Sequence, residues 1–176
     1  APTVQSDDLV YFKSANSGGI LFDSLLTVEG EHVSRLIFDI DSLSVTFPSL
    51  VSLGTSSFLP RSGQVINIPN LTQFESSSVQ LVSGQIFNAP LLNQINFSRI
   101  ALDGTSQFNS GMLTNIDNTR FYLTGGSVFD KVAATSYSTT GLGYSGPDLN
   151  SIVHVEGMGS RLDLSSVVSL SVGFPG

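Results

Sequence analysis

The side chains able to do chemistry in this chain are few and spread out. Its 176 residues carry fourteen acids, seven Lys or Arg, two His and no Cys. Acid/base or calcium-assisted cleavage of a polysaccharide needs clustered carboxylates with a Lys or Arg base nearby. Asp103, Asp117 and Asp130 fall at unrelated offsets instead. Only "FDIDS" sets two carboxylates, Asp39 and Asp41, on one face of a strand. A glycosidase pair needs more around it than that, so the expected catalytic set is none. His32 and His154 are too far apart to share a metal or a triad, and without cysteine no thiolate site exists. Neither metal nor cofactor is expected. The serines beside glycine, as in "LVSGQ" and "GMGSRLDL", form no nucleophile elbow. "GLGYSGPD" precedes no helix and carries no Lys-Ser/Thr, so it is a loop and not a phosphate cradle.

Two groups remain as candidate ligand sites. Arg99 and Arg120 lie 21 residues apart, and two guanidinium forks could hold a glycan sulfate or carboxylate between them. Structural pairing to Asp117 or Asp103 is the competing expectation. The second group is Tyr144, a platform for a sugar ring, with Asp148 and Asn150 near it for hydroxyl groups.

The spacing of the arginines belongs to a repeat that runs through the middle of the chain. Written with a period of 21, the sequence gives apolar columns without gaps: Leu50, Leu71, Leu92, Leu113, then Leu53, Phe74, Ile95, Ile116, Tyr137. Phe58, Val79, Ile100, Phe121 make another, and Pro60, Leu81, Leu102, Leu123 a fourth. Gly63, Gly84 and Gly126 share a column, with Thr105 standing in beside Gly104. "SVQLVSG" and "RFYLTGG" alternate and stop at glycine, as short strands do, and no stretch shows a capped helical stripe. The fold expected is all-β: a single-domain parallel β-helix, or β-solenoid, with about 21 residues per coil. It should have roughly seven coils over residues 1–176, regular from 45 to 137, with right-handed winding expected.

In stacked parallel coils, equal positions lie above one another. The polar columns therefore carry structural expectations. Asn67, Asn88, Asn109 and Asp130 form one, and amides can hydrogen-bond along such a stack as donor and acceptor. Ser56, Ser77, Ser98, Thr119 and Thr140 form a hydroxyl column, and Ser52, Gln73, Gln94 and Asn115 an amide-rich one. Both are expected to decorate exposed turns or faces, with Asn88 mattering more to stability than Ser77.

Two irregular stretches flank the coils, "VEGEHVSRLIF" from Val28 and "VEGMGSRLDL" from Val155. Before the second, residues 138–151 exceed the period by about 11 and are rich in Gly and Ser, so they are expected to protrude as a loop. Over residues 26–172 the solenoid columns, together with "VEGMGSRLDLSSVVSLSV", resemble repeats of giant secreted or surface-attached bacterial proteins of the planctomycete type. That resemblance implies an extracellular, repetitive, adhesive or matrix-forming protein, and brings no functional residue with it.

Composition narrows the partners. A net charge of −7 with only two lysines argues against nucleic acid and anionic membrane. No apolar run approaches 18 residues, so membrane insertion is not expected. The opening "APTVQSDD" is expected to follow a removed signal peptide or to start a piece of a longer protein. The leading function is thus a non-enzymatic extracellular or cell-surface stalk, matrix or adhesin module, partnered by polysaccharide or by other copies of the repeat protein. A carbohydrate-binding module is the alternative, and a polysaccharide lyase or hydrolase the less favoured third.

Overall fold

Alternation over three to five residues puts one apolar side chain after another on the inside of a short strand, and a bend must follow before the next begins. The computed structural model shows where the bends fall. It describes residues 3–6, 10–13, 22–30, 36–39, 44–58, 60–139 and 152–173. Among them every regular element is a strand, every strand pair is parallel, and no helix occurs. The chain is a parallel β-solenoid with three strand-bearing faces.

Face A stacks Thr3–Ser6, Thr27–Gly30, Ser52–Gly54, Gln73–Glu75 and Gln94–Asn96, and resumes with Ser136–Ser138 on Ser169–Ser171. Face C stacks Ser44–Thr46, Val65–Asn67, Ile86–Ala89 and Gln107–Ser110, then Val128–Phe129 on Arg161–Leu162. Face B is the longest. Its seven strands run from Val10–Lys13 through Leu36–Asp39, Ser56–Phe58, Ser78–Leu81, Arg99–Asp103 and Arg120–Thr124 to Val153–Val155. Register keeps the 21-residue period: Phe58 pairs with Val79, Val79 with Ile100, and Ile100 with Phe121. The gapless spacing covers about four turns, and face B carries the stack beyond them.

Each corner has its own chemistry. Between faces C and A, Pro48, Pro69 and Pro90 occupy the second position of tight turns. There the amides of Leu50, Leu71 and Leu92 donate to the carbonyls of Phe47, Ile68 and Ala89. This places Asn67 and Asn88 of the amide column two residues before a proline, with Gly111 in that position after Asn109. Between faces B and C the turns use positive φ at Gly63 (70°) and Gly84 (83°). In the following coil the left-handed position moves to Gly104 (59°), one residue before Thr105. The corner between A and B also bends left-handed, but without glycine: Thr55, Ser76, Phe97 and Asn118 have φ of 48°, 49°, 49° and 55°. For L-residues that region costs roughly 1–2 kcal/mol each, so something at this corner must offset it.

The interior supplies most of the stability. The four apolar columns are buried except for the half-buried Pro60, with Leu50, Leu71, Leu92 and Leu113 all fully covered. Aromatic rings run through the stack: Phe12 meets Phe22 edge-on, Phe22 stacks on Phe47, Phe47 meets Phe58 and Phe58 meets Phe87. Phe87 stacks on Phe108 at 5.0 Å, and Phe129 joins that line to Phe121 and Tyr137. No coil has enough apolar surface to form a core alone, so each is stable only against its neighbours.

The two Val-Glu-Gly stretches are not equivalent in space. Val28 lies in the face A strand Thr27–Gly30, whereas Val155 ends the face B strand Val153–Val155. The sequence likeness therefore does not mark a structural repeat unit. Likewise Ser138 belongs to a strand paired with Ser171, and Thr139 is buried, so the extra segment begins no earlier than residue 140.

Candidate functional site

The amide column lies on the outer side of face C. Asn88 Nδ2 donates to Asn67 Oδ1 at 3.2 Å, and Asn109 Nδ2 donates to Asn88 Oδ1 at 3.1 Å. Asn67 and Asn88 are half-buried and Asn109 is exposed. Asp130, next in the column, ends the amide run with charge, lying 3.9 Å from Lys131 Nζ and 3.8 Å from Arg161. Arg161 also bonds Asp163 at 3.1 Å. Hydrogen bonds from the Ser165 hydroxyl and amide, with Arg161 adding to them, hold the exposed Asp163 carboxyl below the usual carboxylate range. Exposed ion pairs of this kind contribute little to stability.

The hydroxyl column is not on the surface. Ser56, Ser77, Ser98 and Thr119 are all buried at the A–B corner, against the expectation of an exposed decoration. Each bridges two coils. The Ser56 amide donates to Ser77 Oγ at 2.9 Å, and the Ser77 amide to Ser98 Oγ at 3.2 Å. The hydroxyls donate in turn to carbonyls two residues back, Ser77 to Glu75 at 2.7 Å and Ser98 to Asn96 at 2.8 Å. The physical cause is the left-handed bend just before them. It turns the amides of Ser56 and Ser77 away from the strand ladder and into the interior, where a short side-chain oxygen from the adjacent coil reaches them; the Thr119 amide instead donates to the Ile116 carbonyl at 3.2 Å. A second buried polar column, Gln64, Gln85, Ser106 and Ser127, does similar work at the B–C corner. There the amide of Val82 donates to Gln85 Oε1 at 2.7 Å, and that of Asp103 to Ser106 Oγ at 3.1 Å. The amide-rich column of Ser52, Gln73, Gln94 and Asn115 does lie on the outer side, exposed or half-buried.

The arginine pair sits on the outside of face B. Arg99 and Arg120 are direct register partners, and Ala101 pairs with Tyr122 in the same two strands. The Arg99 guanidinium lies over the Tyr122 ring, 4.7 Å from its centroid, a cation–π contact. Tyr122 is itself in register with His154, whose ring centroid is 6.1 Å away and whose Nε2 is 3.1 Å from Glu156 Oε2. Four half-buried side chains, two of them guanidinium groups, thus share one surface. Tyr122 and His154 escaped the sequence reading because 32 residues, not 21, separate them. Asp103 accepts from the Thr124 hydroxyl at 2.8 Å, and Asp117 from the Ser138 amide at 2.7 Å. With its planar donors and neighbouring imidazole, this surface can hold an anionic or polyhydroxylated ligand. The Tyr122 face is covered by Arg99 and offers no open stacking platform.

Tyr144, Asp148 and Asn150 lie outside the described residues, as do Thr140, Asp41 and His32, so the loop site and the Asp39–Asp41 pair have no geometry here. Among the described residues no three His, Cys, Asp or Glu side chains gather where a metal could sit. Buried Tyr137 donates its hydroxyl to the Thr119 carbonyl, and burial pushes its phenol well above the usual range. No protein family, curated protein or solved structure matches the chain.

The two columns make a direct comparison. Ser77→Ala leaves the Ser56 amide buried without an acceptor, at about 1–3 kcal/mol, whereas Asn88→Ala removes half-exposed bonds worth about 0.5–1.5 kcal/mol. Denaturant unfolding should therefore show the larger loss for Ser77→Ala. The reverse order would place the bridging role in the amide column.

Proposed function

We propose that this chain is a non-enzymatic β-solenoid module that serves outside the cell or on its surface as a stiff spacer, whether in a stalk, a matrix or an adhesin. The observation that carries the reading is the unbroken interior: aromatic rings and apolar columns continue from Phe22 to Tyr137 with no gap between coils. A rod built this way resists bending, because every coil is held to the next by strand hydrogen bonds and by packing at once. The likeness to repeats of giant surface-attached bacterial proteins supports the same reading. In such a setting weak contacts along a repeated rod add up through effective concentration.

Stretching tandem copies of the chain in a single-molecule instrument tests the spacer role. Release of one 21-residue coil lengthens the chain by about 65–70 Å, the extended length less one strand spacing, so extension should come in steps of that size or in multiples of it. A smooth, step-free extension like that of an unstructured linker would contradict the reading.

The Arg99–Arg120 register favours a second reading, polysaccharide binding by the outside of face B. Here the ligand is an acidic chain, sulfated or uronate-bearing, whose anions meet two guanidinium groups one strand spacing apart. Binding to a sulfated polysaccharide should exceed binding to its desulfated form and be lost in an R99A/R120A double variant. Equal binding by the double variant would move the ligand away from this face.

A further inference from the structure

Phe97 departs from its neighbours twice. Its φ of 49° lies in the left-handed region, which Asn adopts readily and a bulky aromatic residue rarely does. Asn118 holds the same corner position one coil on, with a φ of 55°, so the fold accepts a residue better suited to the bend. The Phe97 ring is also 48% exposed. The other phenylalanines of the regular coils, from Phe47 to Phe129, turn their rings to one another inside the stack. A backbone outlier beneath a half-exposed ring points to a ligand.

The surroundings of Phe97 say which ligand. Phe97 and Arg99 flank the buried Ser98, so both side chains lie on the outside, two residues apart, where the chain enters face B. Arg99 is in turn the register partner of Arg120. At the usual strand rise and spacing, the ring and the two guanidinium groups are rooted within roughly 8 Å of one another. A single pyranose with its charged substituent covers that span. The acids at this corner lie on its other side: Glu75 ends a face A strand, and Asp117 precedes the bend of the next coil, its carboxylate taking the Ser138 amide. An anion is therefore drawn towards face B.

We propose that Phe97 is the sugar-stacking residue of the arginine surface: one ring of an acidic polysaccharide lies on Phe97 while its sulfate or carboxylate reaches Arg99 and Arg120. This rests on the polysaccharide-binding reading of face B. It supplies the platform that Tyr122, covered by Arg99, does not offer. The site thereby prefers a sulfated or uronate-bearing sugar chain to other polyanions. Guanidinium groups alone read charge, whereas the aromatic ring reads the C–H face of a pyranose.

Binding of the full chain to two polyanions tests it: a sulfated galactan, and polyvinyl sulfate of equal charge, which has the anions and no sugar ring. Phe97→Asn should weaken galactan binding about tenfold and leave polyvinyl sulfate binding unchanged. The same variant should raise the denaturant midpoint, because Asn relieves the bend. Phe97→Tyr keeps a ring and should keep the galactan affinity. The R99A/R120A double variant should lose both polyanions. If it does, and Phe97→Asn still binds galactan fully or loses both polyanions equally, the inference is overturned and the polysaccharide reading of face B stands. Unchanged galactan binding by R99A/R120A would overturn the two together. A lower midpoint for Phe97→Asn would make the ring a cover for Asn118 of the next coil, which is 8% exposed, and would overturn the inference as well.

Discussion

The structure depends on a hydroxyl that does two jobs at a bend. Where the chain turns from face A to face B at Thr55 and Ser76 it passes through a left-handed residue, and the amide after it points inward to a hydroxyl of the next coil. Buried with no acceptor, each of those amides would cost about 1–3 kcal/mol, in addition to the strain of the bend itself. Ser77 and Ser98 remove the cost by accepting from the coil before and donating within their own. The bend is therefore stable only when another coil with a hydroxyl at the same position sits on top. Packing requires the same stacking for a separate reason, since buried Phe87 packs on Phe58 and Phe108 of the coils on either side. Two independent constraints, one polar and one apolar, demand the same 21-residue register.

This agreement explains why the period is free of gaps where both constraints operate and irregular where one lapses. Through residues 45–137 the hydroxyl and glycine corners recur together, and proline joins them at Pro48, Pro69 and Pro90. After Tyr137 the spacing lengthens: Val155 pairs with Leu123 and Arg161 with Val128, yet the last coil returns to register on all three faces. Extra residues are tolerated at a corner because loop closure costs little there, provided the strands on both sides still find their partners. Variety in such a solenoid can therefore sit on outward side chains, as with Arg99, Tyr122 and His154, without disturbing what is inside.

Much of the fold was legible in the sequence because its signal is positional. Leu50, Leu71, Leu92 and Leu113 could share a column only if they shared an environment, and all four are buried. The hydroxyl column was visible too, but its meaning was not. A row of serines looks the same on a surface as in an interior, and what decides is the direction of a backbone amide. Glycine marks the left-handed corner at Gly84, whereas Thr55, Ser76 and Phe97 hold the same kind of backbone with no such mark. The Val-Glu-Gly likeness misled for a related reason: three residues describe a local strand end and are indifferent to which face it lies on. Of the candidate sites, Arg99 and Arg120 were found through the period. Tyr122 and His154 were hidden by the longer spacing after residue 137.

Amide hydrogen exchange at single-residue resolution addresses the coil-bridging hydroxyls most directly. The amides of Ser56 and Ser77 donate to side-chain oxygens outside the regular ladder, where local fraying would normally set the rate. If those hydroxyls bind coil to coil, both amides exchange as slowly as the ladder amides of Val79 and Ile100, and only through opening of the whole stack. Exchange of Ser56 and Ser77 at the rate of exposed turn amides such as Ser62, while Val79 and Ile100 stay protected, would contradict it.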